Sequence, residues 1–316
     1  MKKIRIGIVG YGNLGKAVER LCENDDRFTL VAIFSHRAVC SPFNNVIYNI
    51  DKLYLYNNID ILIMCGGSYK DIPKETQKIL SKFDVINSYD THSKILNEIK
   101  KANKIAKKSG TVALYSFGWD PGLFSLLRAL TDGVSTNSVH TVWGNGVSMG
   151  HSNALKEIEG VVKAKSYTIP KNKSVAKMRN NLSNKFEIIR KCVIVKKDSK
   201  SKSEIINKIR ENKTYFGDCK LKVKFVSEKN FENKYNKNFH QGEVFSNFNI
   251  DEEKFSISYK VKMTSNALFT ARILLMYAAA IKKIKKKMGA GAFTILEIPL
   301  CDVINLPKNL QISKFV

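Results

Sequence analysis

The sequence predicts an α/β protein: one domain on a parallel sheet, joined to an α+β domain whose sheet is mainly antiparallel. Three observations carry that prediction. A glycine fingerprint joins a strand to a helix at Ile4–Gly15. Buried strand-like runs then alternate with amphipathic helical segments as far as about residue 118. From Asn137 onward, two-residue alternation separated by Lys/Asn/Ser-rich stretches replaces that rhythm. Alternating strands and helices imply a parallel sheet, and strands in alternating register imply an antiparallel one.

The first unit is the most explicit. Ile4, Ile6, Ile8 and Val9 make a buried strand, Gly10, Gly12 and Gly15 follow in G-x-G-x-x-G spacing, and Leu14, Ala17, Val18 and Leu21 recur at helical spacing. In that context the first glycine makes the turn and the second lets backbone approach a pyrophosphate. The third lets helix and strand pack closely, and the helix N-terminus offers N–H groups to the phosphates. A glycine-rich turn in some unrelated α/β unit is the bland alternative, and the strand–turn–helix context weighs against it.

The next strand, Leu30–Phe34, ends in Ser35-His36-Arg37. An NAD site usually carries an Asp or Glu there for the ribose 2′-hydroxyl. None is present, and Arg37 suits a 2′-phosphate, so the position favours NADP. The segment Ala38–Asn58 is poorly patterned and reads as an irregular connection. Ile59–Met64 reads as a buried parallel strand followed by the loop Cys65-Gly66-Gly67-Ser68, and Pro73 suits a helix start.

Val85–Ser88 ends another strand before Tyr89-Asp90-Thr91-His92. Ile95, Leu96, Ile99, Ala102, Ile105 and Ala106 trace an amphipathic helix stopped by Gly110. Thr111–Tyr115 is the following strand, running into Ser116-Phe117-Gly118-Trp119-Asp120-Pro121-Gly122. Ligands bind at the carboxyl edge of such a sheet, so Asp90 and Asp120 are expected at one crevice. Each alone also suits a helix start or a turn.

In the later region Val139, Thr141 and Trp143 alternate with other residues, and Val161–Ile169, Ile188–Lys196 and Phe255–Met263 are strand-like. Lys171–Lys185 and Lys197–Ser203 read as loose connections. Asn266–Lys287 reads as one long helix with Leu268, Leu275, Ala278 and Ile281 on a face, broken by Gly289 and Gly291. Phe293–Ile298 is strand-like.

Composition bounds the function. The 316 residues are 44% hydrophobic and 26% charged, the balance of a soluble globular protein. No apolar run approaches the roughly 20 residues of a membrane span, and no signal peptide precedes the first strand. Six scattered cysteines without a C-x-x-C pair predict reduced thiols, a cytoplasmic location and no metal. The net charge of +25 admits nucleic-acid binding or a lysine-rich solvated surface. Lacking an aromatic-interleaved basic patch, the chain is read as the latter, with neither nucleic acid nor membrane as partner. The dense run Lys282, Lys283, Lys285, Lys286 and Lys287 fits the exposed end of a helix.

Several motifs together carry a resemblance: Val-Gly-Tyr-Gly-Asn-Leu-Gly at 9–15, Ile-Phe-Ser-His-Arg at 33–37, Ser-Tyr-Asp-Thr-His at 88–92 and Gly-Trp-Asp-Pro-Gly at 118–122. Gly-His-Ser-Asn-Ala at 150–154, Asn-Ala-Leu-Phe-Thr-Ala at 266–271 and Gly-Ala-Phe-Thr-Ile-Leu-Glu at 291–297 join them. Over nearly its full length the chain resembles the meso-diaminopimelate dehydrogenase family.

The resemblance implies a Rossmann-type domain over 1–118, completed by about 267–316, and a substrate-binding and dimerisation domain over 119–266. It implies a homodimer that deaminates the D-centre of meso-2,6-diaminopimelate with NADP, giving L-2-amino-6-oxopimelate (tetrahydrodipicolinate), ammonia and NADPH, in lysine and diaminopimelate biosynthesis.

Motif by motif, the cofactor is expected at Gly10, Tyr11, Gly12, Asn13 and Leu14, at Ser35, His36 and Arg37, and at Cys65, Gly66, Gly67 and Ser68. It is also expected at Ser88, Tyr89 and Asp90, and at Phe117, Gly118, Trp119, Asp120 and Pro121. Asp90 and Asp120 are expected to orient the reacting end, Trp143, Met149 and Gly150 to line the pocket, and Thr168, Arg190, His240 and Asn266 to hold the distal end. Oxidation of an amine requires a proton acceptor, for which Asp120, a water or His151 are candidates. Two departures stand out: His36 where the family often has a second arginine, and Met149 where a glutamine is usual. The competing readings are an NADP-dependent reductase of a cyclic imine and a non-enzymatic dinucleotide- or nucleic-acid-binding module.

Overall fold

Strands buried on both faces need apolar residues at nearly every position, and Ile61–Met64 and Val112–Leu114 have them at every one. β1 (Ile4–Val9), β2 (Phe28–Ser35), β3 (Ile47–Asn49), β4 (Ile61–Met64), β5 (Val85–Asn87) and β6 (Val112–Leu114) pair in parallel. Alternate residues serve the two faces. Ile6, Ile8, Ile61 and Ile63 pack with Ala17 and Val18 of the helix Asn13–Cys22. Val9, Leu62 and Met64 pack with Ile72 and Ile79 of the helix Asp71–Ile79 and with Ala102 and Ala106 of the helix Ile95–Ser109. Gly110 closes the last of these helices in the left-handed conformation. The computed structural model describes residues 3–43, 47–67, 71–217, 219–235 and 239–316.

The later region contains β7 (His140–Trp143), β8 (Gly146–Val147), β9 (Val161–Pro170), β10 (Ile188–Lys196), β11 (Lys220–Phe225), β12 (His240–Ile250) and β13 (Glu253–Met263). Among the described residues they form two sheets, ordered β11-β10-β9-β8 and β13-β12-β7. Every pairing is antiparallel except β10–β11. β11 alternates lysine with apolar residues, a half-exposed pattern that a search for dense apolar runs passes over.

The chain then returns to the first sheet. β14 (Gly291–Phe293) pairs in parallel with β6 and completes the order β14-β6-β5-β4-β1-β2-β3. The two compact units are 1–126 with 267–316, and 127–266.

Four expectations about elements need correction. The long helix over 266–287 is two, Asn266–Ala278 and Ile281–Met288, interrupted at Ala279 and Ala280. The last strand lies earlier than 293–298, because Glu297 accepts hydrogen bonds from the Thr294 backbone and hydroxyl and closes a turn there. The connection after β2 contains β3 and a 3₁₀ helix, Ile50–Leu55. The segment 171–185 holds a helix, Asn172–Arg179, and the stretch 197–203 ends in a capping box of Ser201 and Glu204 that opens the helix Lys202–Glu211.

The lysine run is not bare. Lys282 pairs with Asp60 at 3.1 Å, Lys285 with Asp84 at 2.9 Å, and Lys283 and Lys287 both with Asp302, at 2.9 and 2.5 Å. Burial acts to raise the Asp60 carboxyl, but Arg5 and Lys282 outweigh it and bring it down to about 2. Among the described residues no helix is long and apolar enough to cross a membrane.

Candidate active site

The three fingerprint glycines do three jobs. Gly10 sits at φ +92°, and a Cβ there would lie 2.7 Å from the Gly66 nitrogen. A Cβ at Gly15 would collide with the Gly10 carbonyl oxygen. At Gly12 an added Cβ would meet nothing within 4 Å. Gly12 is also the N-cap of the helix Asn13–Cys22, and no side chain caps that helix. Uncapped N–H groups therefore open onto free space, the arrangement a pyrophosphate requires. A cavity of about 310 Å³ lies there, lined by Gly10, Gly12, Ser35, Arg37, Cys65 and Gly67 among others.

The cavity's flanks are held by short bonds. Ser35 is buried, and its hydroxyl accepts the Arg37 N–H at 3.1 Å, turning the chain sharply at the end of β2. The Arg37 side chain is exposed and forms no ion pair among the described residues. The Gly67 N–H donates to Asp71 at 2.8 Å. Cys65 lies under the cavity as a buried thiol, pushed up by that burial. Ser68 lies outside the described residues. The Tyr11 side chain turns inward, where its hydroxyl donates to Glu19, and Glu19 also accepts from Ser41 at 2.5 Å. Burial and Glu19 push the Tyr11 hydroxyl up to about 12.

A second cluster forms at the carboxyl ends of β5 and β6 around a residue the motifs do not mark. Asn87 is fully buried. Its side-chain oxygen accepts the N–H groups of Tyr89 and Ser116, each at 3.1 Å, and its backbone carbonyl accepts that of Phe117 at 2.8 Å. One side chain thus stitches the loop carrying Asp90 to the loop carrying Asp120. Ser116 takes a left-handed φ of +65° at this stitch. The only sequence signal is a polar residue closing an otherwise apolar strand, Val-Ile-Asn.

Between Gly118 and Gly122 the chain closes on itself. The Gly118 N–H donates to Pro121 at 2.9 Å, and Gly122 has φ +127° because a Cβ there would collide with the Gly118 carbonyl. Trp119 and Asp120 ride on this closed loop half-exposed, with the Trp119 ring edge-on to Phe124 at 5.1 Å. Asp90 is exposed, and Ser88 is half-buried. The rings of Tyr89 and Phe117 enter the core against Tyr115 and Tyr277. Those two residues offer a ligand only backbone.

Replacing Asn87 with alanine leaves two buried N–H groups unpaired. Stability should fall by about 1–3 kcal/mol, and kcat should fall as the two loops drift. Urea unfolding alongside steady-state kinetics tests this, and an unchanged midpoint would mean that Asn87 is not the stitch.

The second unit collects another group. Thr168 on β9 and Arg190 on β10 are register partners, and Arg190 donates to the Thr168 hydroxyl. Arg190 is only 6% exposed, yet its Nε has no partner and no described carboxylate pairs with it. Burial pulls its guanidinium below the usual arginine value. A buried, uncompensated charge costs several kcal/mol, and a bound anion removes that cost.

His151 stands close by, its Nδ1 2.8 Å from the Ser148 hydroxyl and its ring edge-on to Tyr215 and Phe216. Burial, then the charge of Arg190, bring it down to about 4, so it is neutral at neutral pH. Gly146 pairs with Thr168, and a Cβ at Gly146 would lie 3.0 Å from the Cα of the buried His240. A Cβ at Gly144 would lie 2.6 Å from the Thr168 carbonyl, while the neighbouring Trp143 pairs with Gly242 on β12 and is exposed. Met149 and Gly150 begin the exposed end of the helix Met149–Lys156. Asn266 begins the helix Asn266–Ala278 where this unit ends. Among the described residues no group of three His, Cys, Asp or Glu is placed to hold a metal.

Comparison with known proteins gives a consistent result. Residues 118–265 match the diaminopimelic acid dehydrogenase C-terminal domain. The chain is 36% identical over 309 residues to meso-diaminopimelate D-dehydrogenase of Ureibacillus thermosphaericus, covering 95% of each. It is 35% identical over 316 residues to that of Corynebacterium glutamicum, covering 98% of each. The solved structure of the C. glutamicum enzyme in complex with DAP superposes with a TM-score of 0.91 at 32% identity over 100% of both chains. An engineered D-amino acid dehydrogenase bound to NADP+ superposes at 0.88 with 31% identity, again over 100% of both.

Proposed function

The chain belongs to the meso-diaminopimelate D-dehydrogenase family, and we propose that Asp90 and Asp120 orient the reacting D-end of its substrate while Arg190 and Thr168 hold the other end. The reaction is the reversible NADP-dependent oxidative deamination of meso-2,6-diaminopimelate. Water and NADP+ are consumed, and L-2-amino-6-oxopimelate, ammonia, NADPH and a proton are formed. The activity serves lysine and diaminopimelate biosynthesis.

The observation that carries the assignment is the buried Arg190 without a carboxylate. A guanidinium is a fork for a carboxylate, and the nonreacting end of the substrate supplies one. His240 and Asn266 are assigned to the same end, with Trp143, Met149 and Gly150 as lining. The helix 13–22 N-terminus, Ser35 and Arg37 fit the phosphates of NADP, which when bound supplies a hydride acceptor. The protein's part is to present the D-centre in the right orientation and to hold its proton inventory. The substrate ammonium must lose a proton before hydride leaves, and we assign that proton to Asp120, directly or through water. His151 is assigned to the anchor, because it senses the charge of Arg190. An NADPH-absorbance assay with meso-diaminopimelate tests the whole assignment, and absence of NADPH formation would overturn it.

Cofactor choice gives a sharper test. Arg37→Glu should raise KM for NADP by about 10- to 100-fold, the loss of one charge-assisted pair of about 1.5–3 kcal/mol. Equal efficiency of the wild type with NAD and NADP would sink the reading of Arg37.

We propose a homodimer. The 11-residue β13 is the exposed edge of its sheet and presents Phe255 and Tyr259 to solvent, a surface that proteins usually cover. Six free cysteines support a reducing, cytoplasmic location. Engagement of the lysine run by Asp60, Asp84 and Asp302 supports the reading without a nucleic-acid partner.

A further inference from the structure

We propose that Glu75 stands in for the missing acid at the end of β2, giving the enzyme a hydrogen-bond acceptor for a ribose 2′-hydroxyl and blunting its preference for NADP over NAD. The proposal rests on the dinucleotide reading of the glycine-loop cavity. Glu75 lies on the helix Asp71–Ile79, whose Ile72 and Ile79 share a core cluster with Ala32 and Phe34 of β2. It lines the cavity together with Ser35, His36 and Arg37. Its side chain is only 14% exposed, and its carboxylate is 3.8 Å from Nε2 of His36.

Two consequences follow from charge and donor type. Of the two basic side chains after Ser35, one already faces a carboxylate, so Arg37 alone remains to meet a 2′-phosphate. The carboxylate repels that dianion in a partly desolvated space, whereas a ribose 2′-hydroxyl can donate to it. NAD sites use an acid on the second strand for the same purpose. Here the acid is delivered by the neighbouring helix. A second cavity, of about 230 Å³, shares His36, Ile50 and Glu75 with the first and adds Asp51, Lys74 and Lys78. The lysines there keep the neighbourhood from becoming net acidic, so NADP remains the preferred partner.

Isothermal titration of the full-length protein with NADP+, NAD+, 2′,5′-ADP and 5′-AMP tests this without relying on turnover. For Glu75→Gln the Kd for NADP+ and for 2′,5′-ADP should fall by about three- to tenfold, and that for NAD+ and 5′-AMP should stay level or rise. Glu75→Asp keeps the charge and should keep the wild-type direction of preference. The NADP+ gain in Glu75→Gln should shrink at about 1 M salt, where the Debye length is about 3 Å. A ratio of NADP+ to NAD+ affinity unchanged in Glu75→Gln overturns the proposal. Failure of wild-type protein to bind 2′,5′-ADP at all overturns the dinucleotide reading of the cavity instead.

Discussion

Replacing Arg190 with methionine should lower kcat/KM for meso-diaminopimelate by about one to two powers of ten while leaving the fold as stable as before, or more stable. The two halves have the same cause. Arg190 is buried, hydrogen-bonded to Thr168 and beside the Cys219 thiol, with its Nε unpartnered and no carboxylate among the described residues to balance its charge. In the ligand-free protein it is a cost, because a guanidinium removed from water lacks a counter-charge. An apolar side chain of similar volume removes that cost, and buried ionic groups replaced this way are often neutral or stabilising by about 1–4 kcal/mol. With substrate present the balance reverses. The distal carboxylate then loses a charge-assisted fork, and because that end does not react, the loss falls mainly on KM. NADP affinity should not move. Kinetics and guanidinium unfolding on the same preparation check both halves. Unchanged substrate kinetics would mean the anchor lies elsewhere, and a fold weakened by several kcal/mol would mean that Arg190 is structural.

The meso isomer should be turned over at least about 10³-fold better than the L,L isomer, with the D,D isomer also poor. The two ends of the substrate are chemically alike and differ only in hand, so groups around them must make the distinction. We assign the ammonium of the reacting end to Asp90 and Asp120, and the carboxylate and amine of the other end to Arg190, Thr168, His240 and Asn266. A polar site that leaves its own groups unpaired against the wrong ligand rejects it by up to about 10⁴-fold. With the anchor fixed for an L-centre, only a D-centre remains to present its Cα–H, and the L,L isomer has none. The D,D isomer has a reactive end but misplaces the other. NADPH formation from each isomer, checked for isomeric purity, reads this directly. Comparable rates from meso and L,L substrate would reverse the assignment of ends.

What was legible in the sequence was local. The turn from Val9 to Gly15 carries its whole explanation within seven residues, and Gly10, Gly12 and Gly15 have the distinct surroundings that the spacing implies. The turn that brings Ser35 and Arg37 to the same cavity is equally local, a hydrogen bond between residues two apart. Arg190 and Thr168 were named through resemblance, but their register across β9 and β10, and the absence of a carboxylate, are facts of pairing that no local pattern encodes. Asn87 was invisible because its work is done on N–H groups 2 and 29 residues away. Glu75 was invisible because its partner His36 is on another element. The break at Ala279 and Ala280 falls on two good helix formers, so propensity argues against it, and packing of Ile281 and Ile284 decides. The lysine run gave its sign to the composition without disclosing that Asp60, Asp84 and Asp302 meet it.

The strand order of the first sheet has a consequence for how this protein is made. β14 closes the sheet beside β6, yet Gly291–Phe293 emerges from the ribosome only after residues 127–266 have been synthesised. At about 5–20 residues per second, the nascent chain carries an unsealed β6 for roughly ten to thirty seconds. Unpaired strand edges recruit other chains. The three-residue length of β6 keeps that edge short during the wait. A message cut shortly before codon 291 would yield a chain with an intact glycine loop and an open sheet, a substrate for proteolysis rather than a smaller enzyme.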